Sequence, residues 1–351
     1  MVRTMSLLRA LLSTARAVRH TPQLVDGLPP DHAVLLDAPD ERLGPALVAA
    51  ALGDHAPAAA LLAATREAAE WESRDRYVVR LAAFAHRRDA WLGGWLADAP
   101  QDPDALLVRA ELAVRRAWES PARAERLREL GPMIEAVAAA APRDPVPWRL
   151  ALDHARGTQA APAAFEALWE QAVRRSAHHY GCHVAALEYL SAQCCARRDS
   201  TPAARRCAYR ECFDFAEQAA ADALPGSLIR ALPVRAACTQ LLAGGGASAP
   251  AERIDAAADL AAELSARYAP GDPWPAEVRN VLAYVLVERG RWAAALEQFR
   301  LIGPHATSFP WASSGDDPLG RFLDARDGAR RELAPAVPLR GRAGRGRSGD
   351  H

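Results

Sequence analysis

The sequence predicts an all-α protein, built as a right-handed superhelical solenoid of antiparallel helix pairs. Three observations carry that prediction. Half of the 351 residues are apolar but only 6% are aromatic, and Ala dominates. Ala has the highest helix propensity and lets helices approach closely. The punctuation Ala-Pro-x-Asp-Pro occurs three times, in "APQDPDAL" (99–106), "APRDPVPW" (141–148) and "APGDPWPA" (269–276). Between these marks apolar residues recur with the 3.6-residue period of a helix, and no stretch sustains the alternation of a strand.

Asp before Pro is a compact start signal. The carboxylate accepts from the first free backbone N–H groups, and Pro at the first helical position gives up an N–H that has no partner there. Helices are therefore predicted to start within two residues of Asp102, Asp144 and Asp272. Pro100 and Pro142 lie 42 residues apart, and Pro142 and Pro270 lie 128 apart. The second interval is about three times the first. Intermediate marks are expected near Gly181 and near "LPGSLIRAL", where Pro225, Gly226 and Ser227 make a stop and a cap. A period of about 40–47 residues fits helix-pair repeats.

In chain order, "MVRTMSLLRALLSTARAVRH" sets Leu7, Leu8, Leu11, Leu12 and Ala15 at helical spacing. Arg9 interrupts the ~7–15 apolar residues that a secretory signal needs. The segment reads as an amphipathic helix that docks on the following helix, with Met1 or Met5 as the start. "DALLVRAELAVRRAW" (104–118) places Leu106, Ala110, Ala113 and Ala117 on one side. Gly131-Pro132 divides "AERLRELGPMIEAVAAAA" into two helices. "FEALWEQAVRR" carries a stripe of Phe165, Leu168, Trp169 and Val173. "AGGGASAPAE" (243–252) is a loop. Periodicity fades from Gly303, with a short helix expected at 317–334. "PLRGRAGRGRSGDH" has too little apolar surface to order itself. The domain organisation follows: 1–35 an N-terminal amphipathic helix and linker, 36–303 the repeat domain, 304–337 an irregular segment with a short helix, and 338–351 a disordered Gly/Arg tail.

"NVLAYVLVERGRWAAALEQFRLI" (280–302) resembles a tetratricopeptide repeat. Ala283 and Ala295 stand where that motif wants small residues at a helix crossing. Gly290 precedes the interhelix turn, and Trp292 and Phe299 fill the neighbouring groove. More widely, "WESRDRYVVRLA" (71–82), "RDPVPWRLALDHARG" (143–157), "FEALWEQAVRRSAHHYGCHVAALEYLSAQ" (165–193) and "FDFAEQAAADALPGSL" (213–228) resemble uncharacterised actinobacterial proteins with degenerate tetratricopeptide-like repeats. The resemblance spans roughly 40–330. Those proteins carry a Trp-containing, Gly/Ser-rich stretch where this chain has "CCARRDSTPAARRCAYREC". The resemblance implies a helical-repeat fold and no particular activity.

Candidate chemistry is sparse. All 43 basic residues are Arg, which excludes a P-loop lysine and a Schiff-base lysine. The 43 acidic residues balance them, so no global field favours nucleic acid or a membrane. The tail arginines Arg340, Arg342, Arg345 and Arg347 have no interleaved aromatics for base stacking, and no specific nucleic-acid binding is expected. No run of ~18 apolar residues predicts a transmembrane span. Six cysteines occur (Cys182, Cys194, Cys195, Cys207, Cys212, Cys238) without a C-x-x-C pair. They read as reduced thiols in a cytoplasmic protein. "HHYGCH" is the densest ligand cluster. His179 and His183 are four apart and, with Cys182 or His178, could begin a zinc site; capping or interhelix hydrogen bonding is the plainer role. Trp91 and Trp95, also four apart, either pack in an interhelix groove or, if exposed, mark a peptide-binding surface. The expectation is a scaffold or adaptor that binds a peptide or helix on its concave face, without a cofactor. The alternative is a metal-assisted or thiol enzyme centred on the His179/His183 region.

Overall fold

The computed structural model describes residues 27–196, 202–243 and 249–334. The expected N-terminal amphipathic helix and the Gly/Arg tail lie outside them. Seventeen α-helices make up the described chain, and the fold is all-α. They begin with α1 (Leu43–Ala51), α2 (Ala56–Glu67), α3 (Trp71–Arg87), α4 (Ala90–Asp98), α5 (Pro103–Glu119), α6 (Arg123–Glu129), α7 (Gly131–Ala140) and α8 (Val146–Gly157). Next come α9 (Pro162–Arg175), α10 (Tyr180–Ala196), α11 (Pro202–Asp222), α12 (Leu232–Leu242) and α13 (Ala251–Ser265). The last are α14 (Ala276–Glu288), α15 (Trp292–Ile302), α16 (Ser308–Trp311) and α17 (Pro318–Leu333).

The Asp-Pro signals act as local chemistry predicts at two of three sites. The Asp102 side chain accepts from the N–H groups of Asp104 and Ala105 at the start of α5. Asp144 accepts from Val146 N–H, the first residue of α8. Asp272 differs: it accepts from Trp274 N–H, and α14 starts four residues later, at Ala276. The cause is the second proline. Trp274 precedes Pro275, and a residue before proline avoids the α region, so the Asp closes a turn and the helix waits. Gly131-Pro132 divides α6 from α7 as expected.

The break expected near Gly181 falls at residues 176–179, between α9 and α10, but Gly181 does not make it. It lies within the first turn of α10. A Cβ there would sit 2.1 Å from Asp75 Oδ2, so its small size admits a carboxylate from α3. Ser227 caps a 3₁₀ turn, Leu228–Ala231, that leads into α12. The stripe expected on α5 is also broader than drawn. Leu107, Val108, Glu111 and Val114 are buried along with Ala110 and Ala117, because α5 has α3, α6 and α7 around it.

Each helix packs chiefly on helices one or two places along the chain. α14 and α15 form a close pair across Arg289-Gly290-Arg291. Gly290 adopts φ +67°, a left-handed conformation that glycine takes without the Cβ penalty. Ala283, Ala295 and Phe299 are all fully buried in this pair. The chain also folds back on itself. β1 (Leu35–Leu36) pairs in parallel with β2 (His305–Ala306), and Val34 joins the core formed by the last helices. Arg326 of α17 donates to Pro29 O and pairs with Asp31. Arg76 of α3 donates to the carbonyls of Pro273 and Trp274, with its guanidinium 4.3 Å above the Trp274 ring.

Candidate functional site

Charged residues inside buried helix faces build the most distinctive constellation. Arg74 of α3 is fully buried. Its Nε donates to Asp144 Oδ2 and its Nη2 to Asp104 Oδ1, both at 2.6 Å, and its Nη1 to Leu62 O at 2.9 Å. Asp144 thus caps α8 with one oxygen and holds Arg74 with the other. One guanidinium thereby ties together the starts of α5 and α8, where the helix dipoles also favour carboxylates.

A second chain of ion pairs starts one residue later. Arg149 of α8 donates to Asp75 (2.9 Å), Glu111 (2.7 Å) and Asp153 (3.0 Å). Arg156, two turns beyond Arg149, reaches Glu188 at 3.0 Å and Asp153 at 3.6 Å. Its guanidinium lies 4.3 Å over Trp118. Glu188 of α10 also takes Arg235 Nη2 of α12 at 3.0 Å, and Arg235 pairs with Glu277 of α14. Acid and base alternate from Glu111 to Glu277 across five helices. Arg149 is enclosed, but Asp153, Arg156 and Glu188 keep 20, 25 and 28% of their side-chain surface open to solvent. The middle of the ladder is therefore reachable.

Electrostatics separates the two carboxylates that share Arg156. Burial pushes Asp153 up to about 6, with Glu188 and Glu111 adding to the rise against the pull of Arg149 and Arg156. Burial raises Glu188 as well, but Arg156 and Arg235 outweigh it and hold its pKa below the usual value. Glu72, which accepts from Tyr180 N–H at 2.6 Å, is raised chiefly by burial.

The residues singled out in the sequence have structural partners. Cys182 N–H donates to His179 Nδ1 (3.2 Å), so the ring proton belongs on His179 Nε2, which lies 3.3 Å from Trp71 O. Both nitrogens of that ring are thereby engaged. His183 Nδ1 lies 2.9 Å from His179 O, and its ring sits edge-on to Trp169 and stacked near Phe215. Burial, with the neighbouring histidines, lowers its pKa. Burial first, then Asp75, raises Cys182 well above the usual thiol range, which disfavours a thiolate. His178 joins none of these contacts. Among the described residues no three His, Cys, Asp or Glu side chains are grouped to hold a metal ion. Trp91 and Trp95 are each 1% exposed. Their centroids lie 6.3 Å apart, with His55 stacked on Trp95. They are core residues, and their rings are closed to a partner.

Sequence reasoning missed both constellations, although several of their members lie in the segments quoted for the resemblance. "WESRDRYVVRLA" holds Arg74 and Asp75, "RDPVPWRLALDHARG" holds Asp144, Arg149, Asp153 and Arg156, and "LEYLSAQ" holds Glu188. The one local signal is Arg149, Asp153 and Arg156 at i, i+4 and i+7 of a helix whose other residues, His154 excepted, are apolar. Among the described residues no helix is long and apolar enough to cross a membrane. No protein-family model matches the chain, and neither a curated protein nor a solved structure matches it.

Proposed function

We propose that the chain is a tetratricopeptide-like solenoid of antiparallel helix pairs that serves as a protein-interaction scaffold. A partner peptide or helix lies along the inner face, over Asp153, Arg156, Glu188, Arg235 and Glu277. The observation that carries this reading is the solvent-open middle of the ladder, whose members from Asp153 to Glu277 come from four successively packed helices. Alternating fixed charges give register and selectivity to a bound segment more than raw affinity. The near-neighbour packing of the helices supports a repeat stack, as does the α14–α15 pair with its left-handed Gly290. The full engagement of the His179 ring weighs against a metal-assisted enzyme. The raised pKa of Cys182 weighs against a thiol enzyme. The buried thiols of Cys182 and Cys238, outside any disulfide, fit a reducing cytoplasm.

The test is cross-linking and affinity capture from host cells with wild-type protein and Arg156→Gln. A specific partner should cross-link near residues 149–156 and 184–188, and its recovery by the variant should fall about tenfold, the effect of one lost interfacial charge pair, at a temperature where circular dichroism shows both proteins folded. Cross-links confined to outer faces, or equal recovery by the variant, would remove the inner face as the binding surface.

A further inference from the structure

A shallow depression of about 410 Å³ on the described surface is lined by Gly290, Arg291, Trp292, Ala293, Ala294 and Leu333. It lies between the start of α15 and the end of α17. Leu333 is 43% exposed there, and Trp292 and Ala294 are partly buried where they pack against the core. A mostly apolar trough at the end of a helical stack is what a further helix covers, because a terminal unit needs a polar outer face.

We propose that residues 7–15 of this same chain cover the trough, with Leu7, Leu8, Leu11, Leu12 and Ala15 turned onto Trp292, Ala294 and Leu333. Three observations favour this occupant. The described chain begins at Gly27, against the aliphatic part of Arg300: a Cβ on Gly27 would lie 3.5 Å from Arg300 Cδ. Arg300 and Trp292 are both on α15, eight residues apart, or about 12 Å along its axis. Pro29 and Asp31 are held by Arg326 in the middle of α17, so the chain enters between the two helices that flank the trough. Residues 16–26 can span roughly 36 Å when extended, several times the distance needed, and a nine-residue helix is about 13 Å long, matching the run from Arg300 to Trp292. The other free end is a poorer fit. "PAVPLRGRAGRGRSGDH" (335–351) leaves from the trough's edge, but its prolines and glycines interrupt any helical stripe.

Hydrogen exchange on the full chain tests the proposal in both directions. In wild-type protein, amides 6–16 should exchange more slowly than a free chain. In Leu8→Glu/Leu12→Glu, that protection should vanish and amides 292–296 should exchange about tenfold faster, as for a locally uncovered helix start. Leu333→Glu, at an exposed site that does not endanger folding, should speed exchange of 6–16 by a similar factor and leave α12 unchanged. Free-chain rates at 6–16 in wild-type protein would overturn the proposal. So would indifference of 6–16 to Leu333→Glu, or an effect of that variant on 335–345 instead. Protection of 6–16 that disappears on dilution, together with a dimer in sedimentation, would assign the trough to a second copy and also overturn it.

Discussion

At the scale of single residues, two glycines within helices show how environment sets opposite outcomes for the same change. Gly181 has Asp75 Oδ2 2.1 Å from where a Cβ would be, whereas Gly94 of α4 has nothing within 4 Å. Gly181→Ala must push aside a carboxylate already held by Arg149 and should cost about 1–3 kcal/mol. Gly94→Ala should stabilise by about 0.5–1 kcal/mol, because Ala loses less backbone freedom in a helix. Urea unfolding of the two variants gives both values, and equal effects would contradict the close approach at Gly181.

Asp153 provides a pH dependence with a definite sign. Its carboxyl is raised from 3.8 to about 6 in the folded chain, so between roughly pH 4 and pH 6 the folded state binds more protons than the unfolded one. Its contribution is fully present below pH 4, is lost as pH rises through 6, and stays lost above. Glu188, with its lowered pKa, acts in the opposite sense. Asp153→Asn isolates the first effect. The variant should gain melting temperature relative to wild type as pH rises from 4 to 7, and parallel curves would show that Asp153 titrates normally.

At the scale of elements, the α14–α15 pair concentrates the packing argument. Ala283 is fully buried and Ala294 only partly so. Ala283→Leu should cost about 1–3 kcal/mol through overpacking, and Ala294→Leu should cost clearly less. Equal shifts in thermal melting would show that the close crossing at Ala283 is not there. Helix starts at this scale were legible because their causes are local: Asp102 and Asp144 reach N–H groups two and three residues away. The helix at Ala276 starts later than the Asp-Pro signal predicts because two prolines compete within "DPWP". The stripe on α5 was drawn too narrow for a different reason. A sequence window shows which residues are apolar, but not how many helices surround them, and Glu111 is buried there because Arg149 comes to meet it.

At the scale of the whole molecule, α3 links the first helices to the last. Arg76 gives two hydrogen bonds to the Pro273–Trp274 turn and stacks on the Trp274 ring. Arg76→Ala should speed amide exchange at 272–279 while leaving α5 unaffected. The expected cost is about 1.5–3 kcal/mol, the range for hydrogen bonds from a charged donor. No acceleration at 272–279 would mean that the fold closes without this link.

The sequence by itself determined the all-α class and the helix starts at Asp102 and Asp144. Propensity, capping and proline sterics act within a few residues, and a window contains everything they need. It also placed small residues at Ala283 and Ala295 and a glycine at the turn between them. The tertiary structure alone decided the fate of the charged and aromatic residues. Trp91 and Trp95 are core, His179 is fully engaged, Arg74 joins Asp104 to Asp144, and Arg149 and Glu188 belong to a ladder whose partners come from different helices. A charge in an amphipathic pattern reads the same whether water or a distant carboxylate will satisfy it. Arg74 and Asp144 stand 70 residues apart, and the balance between desolvation and pairing is set only when the fold brings them together.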